Sequence, residues 1–476
     1  MTWSMIILDD GITNDLQQRV GKTTAIEFDY YFGVQDTDGS VSSTHGNSVF
    51  LSALAVSRAY DVIDLKVASA ELGDYLNVLV EDALQDAIAT PEPPVGAINM
   101  SFGSPFFPSE FADEINELAR RGIITVASAG NGGTRAAIES PSFPAALANV
   151  IAVGSHNGNG RPSTFSQNGP GVDILADGED VPRPGVDGTS FAAPRVAATV
   201  THVQAIVQGL TGERIGVAAM IDVLHVGGAG PLSLPDPADG RTRYFLHDHA
   251  ASLDYAWNRY GGSPVLALEY VASHQDLILG LGPDARAGQL HYENHGAIEQ
   301  RAITFDAFEY IASYADLTRA FGVDPQRGAL HYIANGVFEG RAADQFDALR
   351  YIASYGDLVR ALGSDERSGT LHYLANGFGE GRAVTFDGLQ YIASYADLIR
   401  AFGVDQHRGV QHYIANGFAE NRPPDQFDAA QYLANYVDLR QAFGDDEVAA
   451  TQHFIANGFF ENRTDDRLPT TTDFIV

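Results

Sequence analysis

The sequence predicts an α/β fold, a parallel sheet flanked by helices, followed by an all-α tandem-repeat region. Two observations carry this. Up to about residue 260, β-rich runs alternate with helical stretches. Beyond it the pattern F-D-x-x-x-Y-I-A-S-Y starts at Phe305, Phe346 and Phe386 and, as FDAAQYLANY, at Phe427. A third observation bounds the function. The 476 residues hold 29 Lys+Arg against 61 Asp+Glu, a net charge of −32, with 45% hydrophobic residues and no cysteine. That excludes disulfide scaffolds, thiolate metal sites and a cysteine nucleophile, and it disfavours nucleic acid and anionic lipid as partners. No apolar run reaches the ~18 residues of a membrane helix, so membrane insertion is not expected.

The strands expected in order are Met5–Leu8, Val62–Val67, Ala97–Ser101, Ile123–Ser128 and Val150–Val153. Each is a short, nearly continuous apolar run, as a strand buried on both faces requires. The helices expected between and after them are Asn47–Arg58, Leu76–Ile88, Ser109–Arg120 and Ser190–Gln208. Strand then helix, repeated, argues for parallel pairing. The boundary with the second region is expected near Gly261-Gly262-Ser263-Pro264.

The repeats span residues 265–463 as five tandem copies, the first (VLALEYVASH) degenerate. Each copy ends in a block such as HYIANG at residue 331, followed by a Glu-x-Arg pair such as Glu339/Arg341. Phe305, Phe308, Ile311 and Tyr314 recur three apart and read as one helical face. Asp316–Phe321 reads as a second helix stopped by Gly322, and Leu330–Ala334 as a third stopped by Asn335-Gly336. Helices this short cannot bury a core alone, so neighbouring copies are expected to stack. The histidines His291, His331, His372, His412 and His453 read as structural hydrogen-bond partners, and the Glu/Arg pairs as inter-copy salt bridges or caps. The ligand of the repeats is not readable.

Chemistry in parallel α/β sheets collects at the carboxyl ends of strands. Asp9 and Asp10 follow the first strand, Phe102 and Gly103 follow the third, which ends at Ser101, and Gly130 and Asn131 follow the fourth. His45 and Ser190 open two helices. A serine hydroxyl needs a base, a histidine base needs a carboxylate, and the oxyanion needs donors such as an Asn amide. The set therefore supplies every part of an acyl-transfer site.

At these residues the chain resembles the subtilisin-like serine proteases. The resemblance is carried by ILDDGI (7–12), HGNSVF (45–50), INMSFG (98–103), ASAGNGG (127–133) and DGTSFAAPRVA (187–197), and covers about residues 1–258. It implies a subtilisin-like fold and a serine endopeptidase acting on protein or peptide substrates without cofactor or metal. It implies Asp9 as acid, His45 as base, Ser190 as nucleophile and Asn131 as oxyanion donor. Asp9 is chosen over Asp10 because the family places its acid two residues before the glycine, here Gly11. The resemblance also implies that Ser101, Phe102, Gly103, Ala127, Ser128, Ala129 and Gly130 wall the substrate pocket and offer backbone edges to an extended substrate. The chain departs from the family at Asn47 and Arg195, and only eight residues precede Asp9. The rival reading is a front domain that is inactive or only self-processing, on a surface-binding repeat protein.

Three expectations complete the reading. The organisation is a peptidase domain at 1–260, repeats at 265–463 and a tail at 464–476. The tail ends in Asp473-Phe474-Ile475-Val476 and resembles the terminus of bacterial type I secretion substrates, which implies export by that machinery and an extracellular location. A cytoplasmic protease with a frayed tail is the alternative. His247-Asp248-His249 reads as a surface or packing element rather than a metal site.

Overall fold

The computed structural model describes residues 2–9, 12, 26–29, 45–67, 77–89, 94–103, 110–133, 140–228, 231–233 and 243–467. Asp10, Gly11 and Asp473–Val476 lie outside these. Two compact units are present, Met1–Ser273 with Asp284–Ile303, and His274–Pro283 with Thr304–Val476.

The first unit runs β1 (Ser4–Asp9), β2 (Ile26–Asp29), α1 (His45–Leu54), β3 (Asp61–Lys66), α2 (Asn77–Ala89), β4 (Val95–Met100), α3 (Glu110–Arg120), β5 (Ile124–Ser128), β6 (Val150–His156) and β7 (Ile174–Asp177). It continues with α4 (Thr189–Thr211), α5 (Val217–Gly227), a two-stranded ribbon of β8 (Pro231–Ser233) and β9 (Arg243–Phe245), α6 (His249–Arg259) and α7 (Pro264–Ala272). Among the described residues the main sheet has seven strands in the order β2-β3-β1-β4-β5-β6-β7, and every neighbouring pair is parallel. The order reverses at β1, which pairs with β3 on one side and β4 on the other. In open parallel sheets that reversal leaves a crevice beyond the strand ends, and Asp9 is the last residue of β1.

Every residue of β1, β4 and β5 is buried. Their apolar runs are continuous because both sheet faces are covered. One face carries a core of Ile6, Leu8, Ile63, Ile98 and Met100 against Val80, Leu84, Ile115 and Leu118 of α2 and α3. α4 carries buried residues on all sides from Thr189 to Val207, so its sequence shows no single apolar face against a solvent-exposed one. Gly212 ends it in the left-handed conformation, its N–H bonded to the Gln208 carbonyl. The unit also takes in residues 284–303, which the repeat spacing assigns to the first copy. The Trp3 N–H donates to the Ile298 carbonyl (3.0 Å), and the Tyr292 phenol abuts Gly209 of α4.

The second unit is helical. In the copy beginning at Phe305, helices occupy Ala307–Ala312, Ala315–Phe321 and Pro325–His331, followed by a π-helical turn, Tyr332–Gly336. This corrects the expected boundaries. Phe305 precedes the cap Asp306, and Tyr314 is the residue that opens the second helix, so the three-residue spacing spans two helices. The third helix starts at Pro325, five residues earlier than expected, because Asp324 caps it and proline suits its first position. Copies stack through a serine of the repeat motif: Ser313 Oγ accepts from the Phe346 N–H, Ser354 from Phe386 and Ser394 from Phe427 (2.9–3.1 Å).

The repeated histidines do make structural bonds. Tyr310 Oη lies 2.9 Å from His331 Nδ1, and Tyr351–His372, Tyr391–His412 and Tyr432–His453 repeat the pair. The Glu/Arg pairs are not inter-copy bridges. Arg341 bonds Glu339 (2.7 Å) and Asp316 (2.9 Å) of its own copy and lies over the Tyr314 ring. The 25-residue step from Asp316 to Arg341 closes one copy on itself.

Candidate active site

Asp9 ends β1 with its carboxylate fully buried, and Oδ1 sits 2.8 Å from His45 Nδ1. His45 is the first residue of α1, with a third of its side chain exposed. The buried carboxylate orients the imidazole, and the exposed part leaves the ring's other edge open to a reactant.

Ser190 is the second residue of α4, where free N–H groups and the helix dipole favour developing negative charge. It is nearly buried, at 8% exposure. Its neighbour Phe191 packs near the histidine, the two ring centroids 5.5 Å apart. Asn131 follows β5. Its Oδ1 accepts from both the N–H and the hydroxyl of Thr189, each at 2.9 Å, so the amide cannot rotate freely and its Nδ2 is aimed elsewhere. A methyl group on Gly188 would lie 3.0 Å from Ser190 Oγ and 3.4 Å from Asn131 Nδ2. One atom-sized space is therefore flanked by both groups, the arrangement an acyl carbon with its oxyanion needs.

Pro194 lies four residues after Ser190 and has no N–H to give the Ser190 carbonyl. The Ser101 hydroxyl takes that place, donating to the carbonyl at 2.7 Å while accepting from Asn99 Nδ2 at 3.0 Å. Sequence reasoning placed Ser101 in the pocket wall and missed this bond. Thr189 was missed as well. The signal for both was present, a proline at the i+4 position from the serine and a hydroxyl in the GTS block.

The two expected wall segments flank Thr189-Ser190. Ser101 is buried, Phe102 is half-buried against the core and Gly103 is exposed, facing Ser142 and Phe143. Ala127, Ser128 and Ala129 are buried at the end of β5, and the Gly130 N–H donates to the Thr189 hydroxyl at 3.2 Å. The expectation of free backbone edges needs correction at two residues. The Ala129 N–H donates to the Val153 carbonyl, its carbonyl accepts from the Ser142 N–H, and the Gly130 carbonyl accepts from the Gln167 N–H. These groups hold the loop itself, so Ala129 and Gly130 form wall rather than edge. Among the described residues, no group of three or more His, Cys, Asp or Glu is placed to hold a metal ion.

Residues 6–222 match the family model described as the subtilase family, Peptidase_S8. Residues 6–222 are a subtilase domain. Subtilisin BL of Lederbergia lenta is 38% identical over 113 residues, 22% of this chain and 40% of that protein. The alkaline proteinase of Hapsidospora chrysogena is 28% identical over 259 residues, 51% of this chain and 60% of that protein. The chain thus spans about two fifths of the length of the first relative. Among solved structures, a cold adapted subtilisin-like serine proteinase aligns with 52% of this chain and 89% of its own, at 19% identity and a TM-score of 0.42. The parallel sheet with helices on both faces is the fold expected of a subtilase domain.

Proposed function

We propose that the chain is a serine endopeptidase whose subtilase domain cleaves peptide bonds by acyl transfer. The observation that carries this is the 2.8 Å Asp9–His45 contact beside a helix whose N-terminus presents Ser190 next to Asn131. His45 accepts the Ser190 hydroxyl proton as Oγ bonds to the substrate carbonyl carbon. Asn131 Nδ2 and the helix N-terminus stabilise the oxyanion. The C–N bond then breaks, and the proton on His45 passes to the leaving amine. Water, deprotonated by the same histidine, releases the acyl group from Ser190 and restores the site. Asp9 stays ionised throughout, holding the imidazole and offsetting its transient positive charge.

Ser101–Gly103 and Ala127–Gly130 are the proposed walls for the residue preceding the scissile bond, with protein or peptide as substrate. The proposed setting is extracellular, and detection in culture medium checks it. Fluorophosphonate labelling tests the chemistry. The wild type should be labelled on Ser190 and hydrolyse peptides, while Ser190→Ala does neither. A wild type that is folded but neither labelled nor active would leave the inactive, surface-binding reading in its place.

A further inference from the structure

α4 has a second polar stripe that the proposed chemistry does not use. Arg195, Thr199 and His202 follow one another at i, i+4 and i+7, one face of the helix. The segment after the subtilase match packs its own histidines onto that face. Thr199 Oγ1 lies 2.7 Å from His247 Nε2 and 2.9 Å from His249 Nδ1. The His202 ring meets His249 edge-on at 5.1 Å and Tyr60 at 5.8 Å. Its Nδ1 is 3.4 Å from the Glu293 carbonyl, and Nε2 is buried with no hydrogen-bond partner. His249 opens α6, and Glu293 belongs to the π-helical turn Tyr292–Gly296.

We propose that this row is an acid-sensitive latch, in which protonation of His202, His247 and His249 frees residues 243–273 and 284–303 from the helix that carries Ser190. The groups facing the row are mostly cationic or neutral. His247 faces Arg195 and His156, and His202 faces His295 and the Tyr60 phenol. The carboxylates are Asp248 beside His249, Asp177 beside Arg195, and Glu293. A single hydroxyl joins two of the imidazoles, so full protonation sets two cations against one oxygen and beside Arg195. Asp248 offsets His249 alone, Asp177 sits by Arg195 and burial pushes Glu293 toward its neutral form, so the face compensates three added charges only in part.

The direction of the pH effect follows from burial. Desolvation, then the neighbouring His249 charge, pushes His202 and His247 down to about 3, and desolvation pushes His249 down to about 4 against the opposing pull of Asp248. A released histidine titrates near 6.5. The closed state is therefore fully favoured above about pH 6.5 and loses that advantage as pH falls toward the depressed values. Glu293 works against this. Desolvation raises its carboxyl to about 7, so the closed state holds one proton there that the open state binds only near 4.5. Three protons gained by histidine, less one already held by Glu293, leave about two. The opening equilibrium should then rise about a hundredfold per pH unit between about pH 5.5 and 4.5.

The chain contains two tryptophans, Trp3 and Trp257, and both are buried in the first unit. Trp257 lies on α6 itself, so tryptophan emission of the full-length protein reads the latch. The expected result is a reversible transition centred between about pH 4 and 6. His202→Gln and His249→Gln should each move it to lower pH and cut its steepness by about one proton, to about tenfold per unit. His407→Gln, exposed in the second unit, should change nothing. If either variant fails to give native emission at pH 8, the other carries the comparison, and the wild-type steepness stands by itself. Emission that stays native to pH 3, or variants with unchanged midpoint and steepness, would overturn the latch.

Discussion

The Ser101 hydroxyl donates to the carbonyl of Ser190 at 2.7 Å, filling the bond that Pro194 cannot make. A helix interior normally tolerates proline poorly, since the ring removes an N–H and crowds the carbonyl four residues back. Here the hydroxyl comes from the end of β4, so the sheet and the first turn of α4 share one hydrogen bond beside the candidate nucleophile.

Ser101→Ala should therefore leave a buried carbonyl unpaired and cost about 1–3 kcal/mol of stability. Pro194→Ala returns an N–H to that carbonyl. In the double variant the loss should shrink, with a coupling of about 1 kcal/mol between the two sites. Urea unfolding of the four proteins, followed by tryptophan emission, measures it. Strict additivity would mean that the hydroxyl and the proline act independently.

The acyl-transfer reading has its own scale, taken from removals in serine proteases, subtilisin among them. Ser190→Ala should lower kcat about 10⁶-fold and Asp9→Asn about 10⁴-fold, with the fold retained. Asn131→Ala should cost about 10²–10³-fold through a lost oxyanion donor. Gly188→Ala is a further check, because its methyl sits 3.0 Å from Ser190 Oγ and 3.4 Å from Asn131 Nδ2. It should depress kcat while leaving both groups chemically intact. Steady-state hydrolysis of a chromogenic peptide decides among these, and near-normal activity in Ser190→Ala would remove the assignment.

Glu309 gives the second unit a pH dependence. Desolvation, and then Asp306, Asp344, Glu366 and Asp347, raise its carboxyl to about 7. A raised acid holds its proton in the folded state, so its contribution is present below about 4.5 and is lost as pH climbs through about 7. Glu309→Gln should then raise the melting temperature of the second unit at pH 8. It should change little at pH 4.5. The gain should be small, about 1–3 °C, because the group is only half-buried and solvent screens it. Helical circular dichroism on heating at the two pH values reads the difference.

Truncation separates the compact units. Residues 1–303 contain the whole first unit, together with residues 274–283 of the second, and include the Ile298 carbonyl that Trp3 bonds and the Tyr292 ring against α4. A chain ending at 303 should keep peptide hydrolysis, whereas one ending at 260 exposes α4 and should be markedly less stable. Comparable activity and melting temperature for both would show that residues 261–303 contribute nothing to the first unit.

Much of the fold was legible because its burial is simple. MIIL, GAINM and ITVAS are covered on both faces and read as unbroken apolar runs. β2 and β7 escaped notice because each is four residues long and ends in aspartate. The candidate site residues Asp9, His45, Asn131 and Ser190 stood out through local blocks of sequence. The bonds made by Ser101 and Thr189 did not, because their partners lie 89 and 58 residues away. His247 and His249 were read as a surface or packing element, and they are packed: a polar triplet before a helix carries no mark of the threonine that buries it. In the repeats the aspartate caps Asp306 and Asp324 fix the helix starts, and the three-residue spacing of aromatic residues obscured them.

Each copy in the second unit places a tyrosine phenol where a side chain on one glycine would be, Tyr310 over Gly336, Tyr351 over Gly377, Tyr391 over Gly417 and Tyr432 over Gly458. An alanine at any of these glycines evicts the same ring and breaks the same bond to histidine. The array thus carries four equivalent sites for one identical local injury, two inside the row and two toward its ends. Differences in the global response to that injury then reflect only how far the loss of one copy travels to its neighbours, so the repeat is a ruler for its own cooperative length.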